Sequence, residues 1–386
     1  MDFNLFKDRC SRLIDDLLKK YPNGGSILIF SGVESERSLF RVNNYFYYLT
    51  GIQEPGVVAL IDLNKNVTAY LPNYSVKRSD WAECLEAQDE LWKDAGFSTI
   101  KILGEKVPGF SFSLPCDEKS ICNIVHDIEV AHKSGQKILT TGTLGTTGTL
   151  GTTGTLGTPG TVETSGTAAN FSELSESVFM FQLSKQLGNI SREFVDISPE
   201  VDRLRRKKDQ VEIEAMSRAI EITNKAHTAA AKIISVGVLE CEVRAKIEST
   251  FVANGSVRVG FPSIVASGKN GTTLHYTGSE KMLQDGELVV VDIGAEFGLY
   301  PADLTRTFPV SGKFTERQLQ LYNAVLSVQK VAESLATPGM FLKNTREPEQ
   351  SLNCIAKKEF AKHGLEKYFI HGLGHFVGLD VHDVGD

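Results

Sequence analysis

A chain of 386 residues exceeds one ordinary hydrophobic core and calls for two domains. Its 41% hydrophobic and 23% charged content fits a folded globular protein and excludes a disordered or fibrous one. A net charge of −7 and a pI near 5.7 argue against a nucleic-acid partner, which needs a basic face.

The one dense basic run, Arg203 to Lys208, is followed at once by Asp209 and reads as a solvated helix start. The first 22 residues carry acids throughout and lack the apolar segment of a signal peptide. No apolar stretch is long enough to span a bilayer, so no membrane partner is expected. Six cysteines (Cys10, Cys84, Cys116, Cys122, Cys241 and Cys354) show no CxxC spacing and read as reduced thiols. The expectation is a cytoplasmic protein.

In chain order, residues 4–20 have helical apolar spacing and stop at Tyr21-Pro22-Asn23-Gly24-Gly25. Strands are predicted over 26–31, 56–62 and 66–71, with helical stretches around 78–94. Strands alternating with helices give an α/β first domain with a parallel or mixed sheet. The hexapeptide Thr-Thr-Gly-Thr-Leu-Gly then occurs three times from Thr140 to Gly157. One Leu per copy cannot build a solenoid core, so 138–168 reads as a low-complexity insert. Helical texture resumes at 171–190. It strengthens over 209–236, where Val211, Ile213, Ile220, Ile222 and Ala226 suggest an apolar face, and a further helix over 239–254 closes at Gly255. Beyond that, the chain reads as strand-rich through Leu335 and again near the end. The domains are set at 1–200 and 201–386.

Glu287–Gly294 is a β-branched strand that carries Asp292 near its end, and a second strand-like stretch begins at Asp303. Gly294, Gly298 and Pro301 between them suit a turn. A hairpin centred between Phe297 and Gly298 would set Asp292 opposite Asp303, with Cβ atoms roughly 4.5–5.5 Å apart. Two carboxylates so close repel unless they share a proton or a cation. Either one alone reads as a turn or cap residue. Together they have the geometry of a hydrolytic site whose paired ions sit roughly 3.5–4 Å apart.

Three histidines, His371, His375 and His382, lie in HGLGHFVGLDVHD, where the glycines oppose a helix and exclude the helical HExxH motif. In an extended segment His371 and His375 would share a face. His275 precedes the Asp292 strand and offers a fourth imidazole.

Residues 203–386 resemble the catalytic domain of the pita-bread metallopeptidases, aminopeptidase P most of all. The resemblance rests on LRRKKDQVEIEAMSRAIEITNKAH, the LHY at 274–276, GELVVVDIGAEFGLYPADLTRTFPVSGKFTERQ and HGLGHFVGLDVHDVGD. FRVNNYFYYLTGIQEP at 40–55 is similar, more weakly, to that family's smaller domain. The implied fold is α/β with α+β character: a mixed-sheet N-terminal domain, then a pita-bread domain incomplete at its C-terminus.

The resemblance implies that Asp292, Asp303 and His375 are metal ligands, with Asp303 bridging two divalent ions, usually manganese, with zinc or cobalt as alternatives. It implies that His275, His371 and His382 line the substrate site and stabilise charge at the scissile carbonyl. The implied activity is release of the N-terminal residue from peptides with proline second. Two further glutamate ligands are implied downstream of His382, past Asp386, so weak metal binding and little turnover are expected of these 386 residues alone. Alternatives are a prolidase acting on dipeptides, a creatinase-like hydrolase, and a non-catalytic peptide-binding module of the same fold. The creatinase reading is opposed by the retained Asp and His set. Relatives often form homo-oligomers, and the sequence leaves the oligomeric state open.

Overall fold

The computed structural model describes residues 3–34, 39–82, 84, 89–111, 118–141 and 171–385. The threonine-glycine repeat beyond Thr141 and Cys116 lie outside them. The chain divides into two compact units, Met1–Arg205 and Arg206–Asp386.

In the first unit, helix α1 (Asn4–Lys20) buries Phe6, Cys10, Leu13, Ile14 and Leu17, the side predicted by their spacing. Strand β1 (Gly25–Phe30) is buried on both faces, which explains its unbroken apolar run. Helix α2 (Asn44–Thr50) is capped by Asn43, whose side chain accepts from the Tyr45 and Phe46 amides. Strands β2 (Val58–Asp62) and β3 (Val67–Leu71) follow. The helical expectation over 78–94 reduces to a 3-10 turn at Arg78–Asp80 and the short α3 (Asp89–Asp94).

Strand β4 (Thr99–Ile102), helix α4 (Cys122–Lys133), strand β5 (Lys137–Thr140), helix α5 (Phe171–Leu187), strand β6 (Val195–Asp196) and helix α6 (Ser198–Arg206) complete this unit. Residues 138–140 of the expected insert therefore belong to β5. The sheet is mixed, in the order β4-β3-β2-β1-β5-β6: β1 runs antiparallel to β2 and parallel to β5. Phe30 stacks on Phe179 with ring centroids 4.3 Å apart in a core that includes Leu28, Ile124, Ile128 and Leu183.

The basic run differs from its expected role. Arg203–Arg206 form the C-terminal turn of α6, where cations complement the helix dipole. Arg203 pairs with Asp16, while Arg205 is buried against the Tyr45 ring.

The second unit opens with helix α7 (Gln210–Ile233), started by a capping box in which Asp209 and Glu212 exchange side-chain-to-amide hydrogen bonds. Its buried face is built of small residues (Ala219, Thr223, Ala226 and Ala230, with Ile222), and the expected apolar positions Val211, Ile213 and Ile220 are exposed. Small side chains let α7 lie close against helix α8 (Glu240–Ala253) and the sheet. That outweighs the burial available from larger residues on the other side.

Strands β7 (Ile264–Ser267), β8 (Leu288–Ile293) and β11 (Leu304–Pro309) form an antiparallel sheet in the order β11-β8-β7. Strands β9 (Glu296–Phe297) and β10 (Tyr300–Pro301) form a small hairpin between β8 and β11. Val289, Val291 and Ile293 point into a core with Ile222, Val243 and Phe251. By the strand's alternation, Asp292 lies on the opposite face.

The stretch expected to be strand-rich through Leu335 holds instead a 20-residue helix, α9 (Glu316–Leu335), and helix α10 (Leu352–Lys362) follows. Thr315 and Gln318 form a capping box at the start of α9, and Ala324, Val328 and Ala332 recur every four residues on its buried side. That cap and that period specify a helix. Among the described residues of 363–385 there is no strand, only an isolated bridge between Phe376 and Asp383.

Candidate metal centre

The hairpin that carries the two aspartates turns one residue later than the even split. Phe297 pairs with Tyr300, so the turn is centred on Gly298 (φ 58°) and Leu299 (φ 72°). Positive φ at both positions is the type I′ geometry that matches strand twist. Asp292 consequently faces Thr305, and Asp303 falls beside Gly294, two positions along. The expected direct opposition of Asp292 and Asp303 is corrected to a diagonal one. A shift of two keeps every side chain on its face, so both carboxylates still project from the same side.

Gly294 is required here because a Cβ would lie 1.8 Å from the Ala302 carbonyl oxygen. This close approach carries the ladder across the gap between β10 and β11: Ala302 N–H donates to the Ala295 carbonyl at 2.8 Å.

Around this pair the imidazoles gather. His375 Nε2 lies 3.0 Å from Asp303 Oδ2. His375 Nδ1 faces the Phe376 carbonyl at 3.0 Å, which can only accept, so that nitrogen carries a proton. The bridge between Phe376 and Asp383 folds the segment back, bringing the His375 and His382 rings to 4.1 Å between centroids. The expected pairing of His371 with His375 on an extended strand gives way to this turn-built pairing of His375 with His382. His371 is exposed, and its Nδ1 lies 2.8 Å from the neighbouring Gly372 carbonyl. Ligand atoms of Asp303, His375 and His382 lie within 4.8 Å of one another. Asp292 is not one of that triplet and His275 is exposed, yet the His275 charge acts on both Asp292 and His382.

Electrostatics follow from this crowding. Burial raises the Asp292 carboxyl above its ordinary range and the charge of Asp303 adds to the effect, while the Thr305 hydroxyl, donating to Asp292 Oδ1 at 2.6 Å, opposes it. The hydrogen bond to Asp303 raises His375, whereas burial and then the His375 charge lower His382. Two carboxylates on one face, with imidazole nitrogen in reach, form a donor set that fits divalent cations.

Sequence reasoning missed several supports. Thr305 shares the parity of Asp303 and was legible from strand alternation. His227, on α7, is 6% exposed and its Nε2 donates to the Leu304 carbonyl at 3.0 Å, holding the backbone next to Asp303. Only the tertiary fold reveals that contact.

Comparison with known proteins accords with this geometry. Residues 214–386 match metallopeptidase family M24, and residues 6–101 match the aminopeptidase P N-terminal domain. The fold and site thus define a metallopeptidase of the pita-bread class, one that depends on divalent metal.

A Haemophilus influenzae Xaa-Pro aminopeptidase is 29% identical over 98% of this chain and 80% of its own length. A Pyrococcus furiosus Xaa-Pro dipeptidase is 39% identical over 54% of this chain, which spans 57% of that relative. The solved structure of a putative aminopeptidase P from Bacillus anthracis covers the whole chain with a TM-score of 0.75 at 24% identity, and the chain covers 84% of it. Within the class, the similarities are to proteins named aminopeptidase P or Xaa-Pro aminopeptidase and to Xaa-Pro dipeptidases.

Proposed function

We propose that this protein is an Xaa-Pro aminopeptidase whose two divalent ions, manganese in first place, are held by Asp292, Asp303 and His375. The observation that carries the reading is the 3.0 Å approach of His375 to Asp303, with Asp292 on the same face of the hairpin. Two carboxylates and one imidazole form a hard-to-borderline donor set suited to manganese, with zinc or cobalt as substitutes. When bound, such ions activate water and stabilise negative charge at the scissile carbonyl.

The chain's own residues do the rest. Thr305 orients Asp292 through its hydroxyl. The Phe376 carbonyl keeps the proton on His375 Nδ1 and so turns Nε2 toward the metal position. His382, whose pKa is lowered first by partial burial and then by the His375 charge, offers nitrogen to the substrate face, with His275 and His371 assigned to the same side. A free peptide N-terminus bound beside the metal position confines cleavage to the first peptide bond.

No helix among the described residues is long and apolar enough to cross a membrane. Cys10, Cys84, Cys122, Cys241 and Cys354 are free thiols, which supports a cytoplasmic setting.

Two measurements test the reading. In calorimetric titration with manganese, wild type is expected to take up metal and Asp303→Asn to lose that uptake. Equal heats from both would overturn the metal assignment. In a manganese-supplemented assay of the protein, a tripeptide with proline second is expected to turn over faster than the corresponding dipeptide. A prolidase is the second reading, favoured by the similarity to the Pyrococcus furiosus dipeptidase, and it predicts the reverse order.

A further inference from the structure

Glu240, the first residue of α8, is fully buried, and its carboxylate is the meeting point of four donors. Oε1 accepts from the Ser267 amide at 2.7 Å, the Ser267 hydroxyl at 2.9 Å and Asn270 Nδ2 at 3.1 Å. Oε2 accepts from the Tyr276 hydroxyl at 3.0 Å, and Asn270 Nδ2 also donates to that hydroxyl at 2.9 Å. These donors come from the end of β7, the turn that follows it and the residue next to His275. The far side of Ser267 is held too: Lys281 Nζ donates to its carbonyl at 3.2 Å and pairs with Glu287 at 2.6 Å.

Such density of hydrogen bonds on one buried carboxylate exceeds what capping a helix requires. A charge-assisted network that is fully satisfied rigidifies what it joins. What it joins is the span from Ser267 to Tyr276, which delivers His275. Among the described residues no hydrogen bond holds the His275 ring, so its direction is set by the backbone beneath it. Gly278 serves the same arrangement: a Cβ there would fall 2.4 Å from the Tyr276 hydroxyl and 2.5 Å from its ring carbon Cζ.

We propose that Glu240 is a positioning residue for the reaction: through Ser267, Asn270 and Tyr276 it fixes the loop that carries His275 into the metal centre. This rests on the reading of His275 as a residue that acts at the scissile carbonyl. The substrate and the metal ligands are untouched by Glu240, so its effect falls on kcat and leaves KM and metal affinity in place. Displacing a reacting group by a fraction of its hydrogen-bond length costs on the order of tenfold or more.

Tyr276→Phe is the primary test, because it removes one oxygen and keeps the ring; Glu240→Gln is the second. Each is expected to lower kcat about tenfold with KM unchanged, as loss of one buried hydrogen bond implies. In a His275→Ala background both are expected to lose their effect. An equal loss with and without His275, or a loss confined to KM, would overturn the proposal. If His275→Ala itself left kcat unchanged, the reading of the site would fail and the proposal with it. A readout independent of turnover separates the two: carbon relaxation by NMR should show the His275 ring ordered in the parent and freed in Tyr276→Phe. Equal order in both would overturn the positioning role even if His275 matters.

Discussion

Lys208 Nζ lies 2.6 Å from Asp383 Oδ2, and the two side chains are only 13% and 1% exposed. The pair fastens the residue after His382 to the approach to α7. Gly378 leaves the room, since a Cβ there would lie 2.0 Å from Asp383 Oδ2. Removing the lysine takes a charge-assisted hydrogen bond from a buried carboxylate, so Lys208→Met is expected to cost about 1.5–3 kcal/mol. Restoring neutrality with Lys208→Met/Asp383→Leu should recover much of the loss. Urea denaturation measures both, and a single-variant loss below about 1 kcal/mol, typical of an exposed pair, would contradict this account.

If Asp292 is a metal ligand as proposed, Thr305 is expected to tune metal affinity through it. Thr305→Val keeps the shape and removes the hydrogen bond at 2.6 Å. Partners that orient a metal-binding carboxylate are worth about 10-fold to 100-fold in affinity. Manganese titration should therefore show at least about tenfold weaker binding for Thr305→Val and near-parental binding for Thr305→Ser.

His227 makes the second unit acid-sensitive. Burial lowers its imidazole below the ordinary value of 6.5, and its Nδ1 has no partner among the described residues. The folded chain refuses a proton that the unfolded chain accepts. This stabilisation is complete above about pH 6.5 and is lost as pH falls through the depressed folded value. His227→Gln keeps a donor for the Leu304 carbonyl without the titration. Between pH 8 and pH 5, unfolding midpoints should fall less for the variant than for the parent.

Gly294→Ala tests the close approach within the aspartate hairpin. The added methyl meets backbone, which cannot rotate away, so a loss of at least about 2 kcal/mol is expected. Manganese uptake should fall with it, because the strand carrying Asp303 must move. Gly372→Ala, with nothing within 4 Å of its Cβ, should leave thermal stability unchanged.

Much of this was legible in the sequence because local signals and tertiary demands agree. Helix α1 shows its face through Leu13, Ile14 and Leu17, and β8 shows its alternation through Val289, Val291 and Ile293. The candidate ligands were legible as types, two acids flanking a turn and a glycine-spaced run of histidines. Their mutual placement was not. The register differs by two from the even split because Leu299, an uncommon residue for a left-handed position, holds the second place of the turn. Helix α9 is announced by Thr315 and Gln318 at its start and by the four-residue recurrence of Ala324, Val328 and Ala332, small residues that give a weak apolar signal. The buried side of α7 was misjudged because alanines carry little hydrophobic weight, yet they alone permit close packing. Contacts such as Lys208 with Asp383 join residues 175 positions apart and leave no local trace.

Leu299 also shows how far local preference and global need diverge. A designer choosing by backbone preference would write glycine or asparagine there, relieving a left-handed conformation that costs about 1–2 kcal/mol. The leucine side chain, however, is 4% exposed, and burying it returns about 1.5–3 kcal/mol. The substitution that looks ideal in an isolated hairpin would therefore leave a hole in the folded domain. The aspartate hairpin thus keeps its shape by a near-cancellation that consensus engineering of turns would upset.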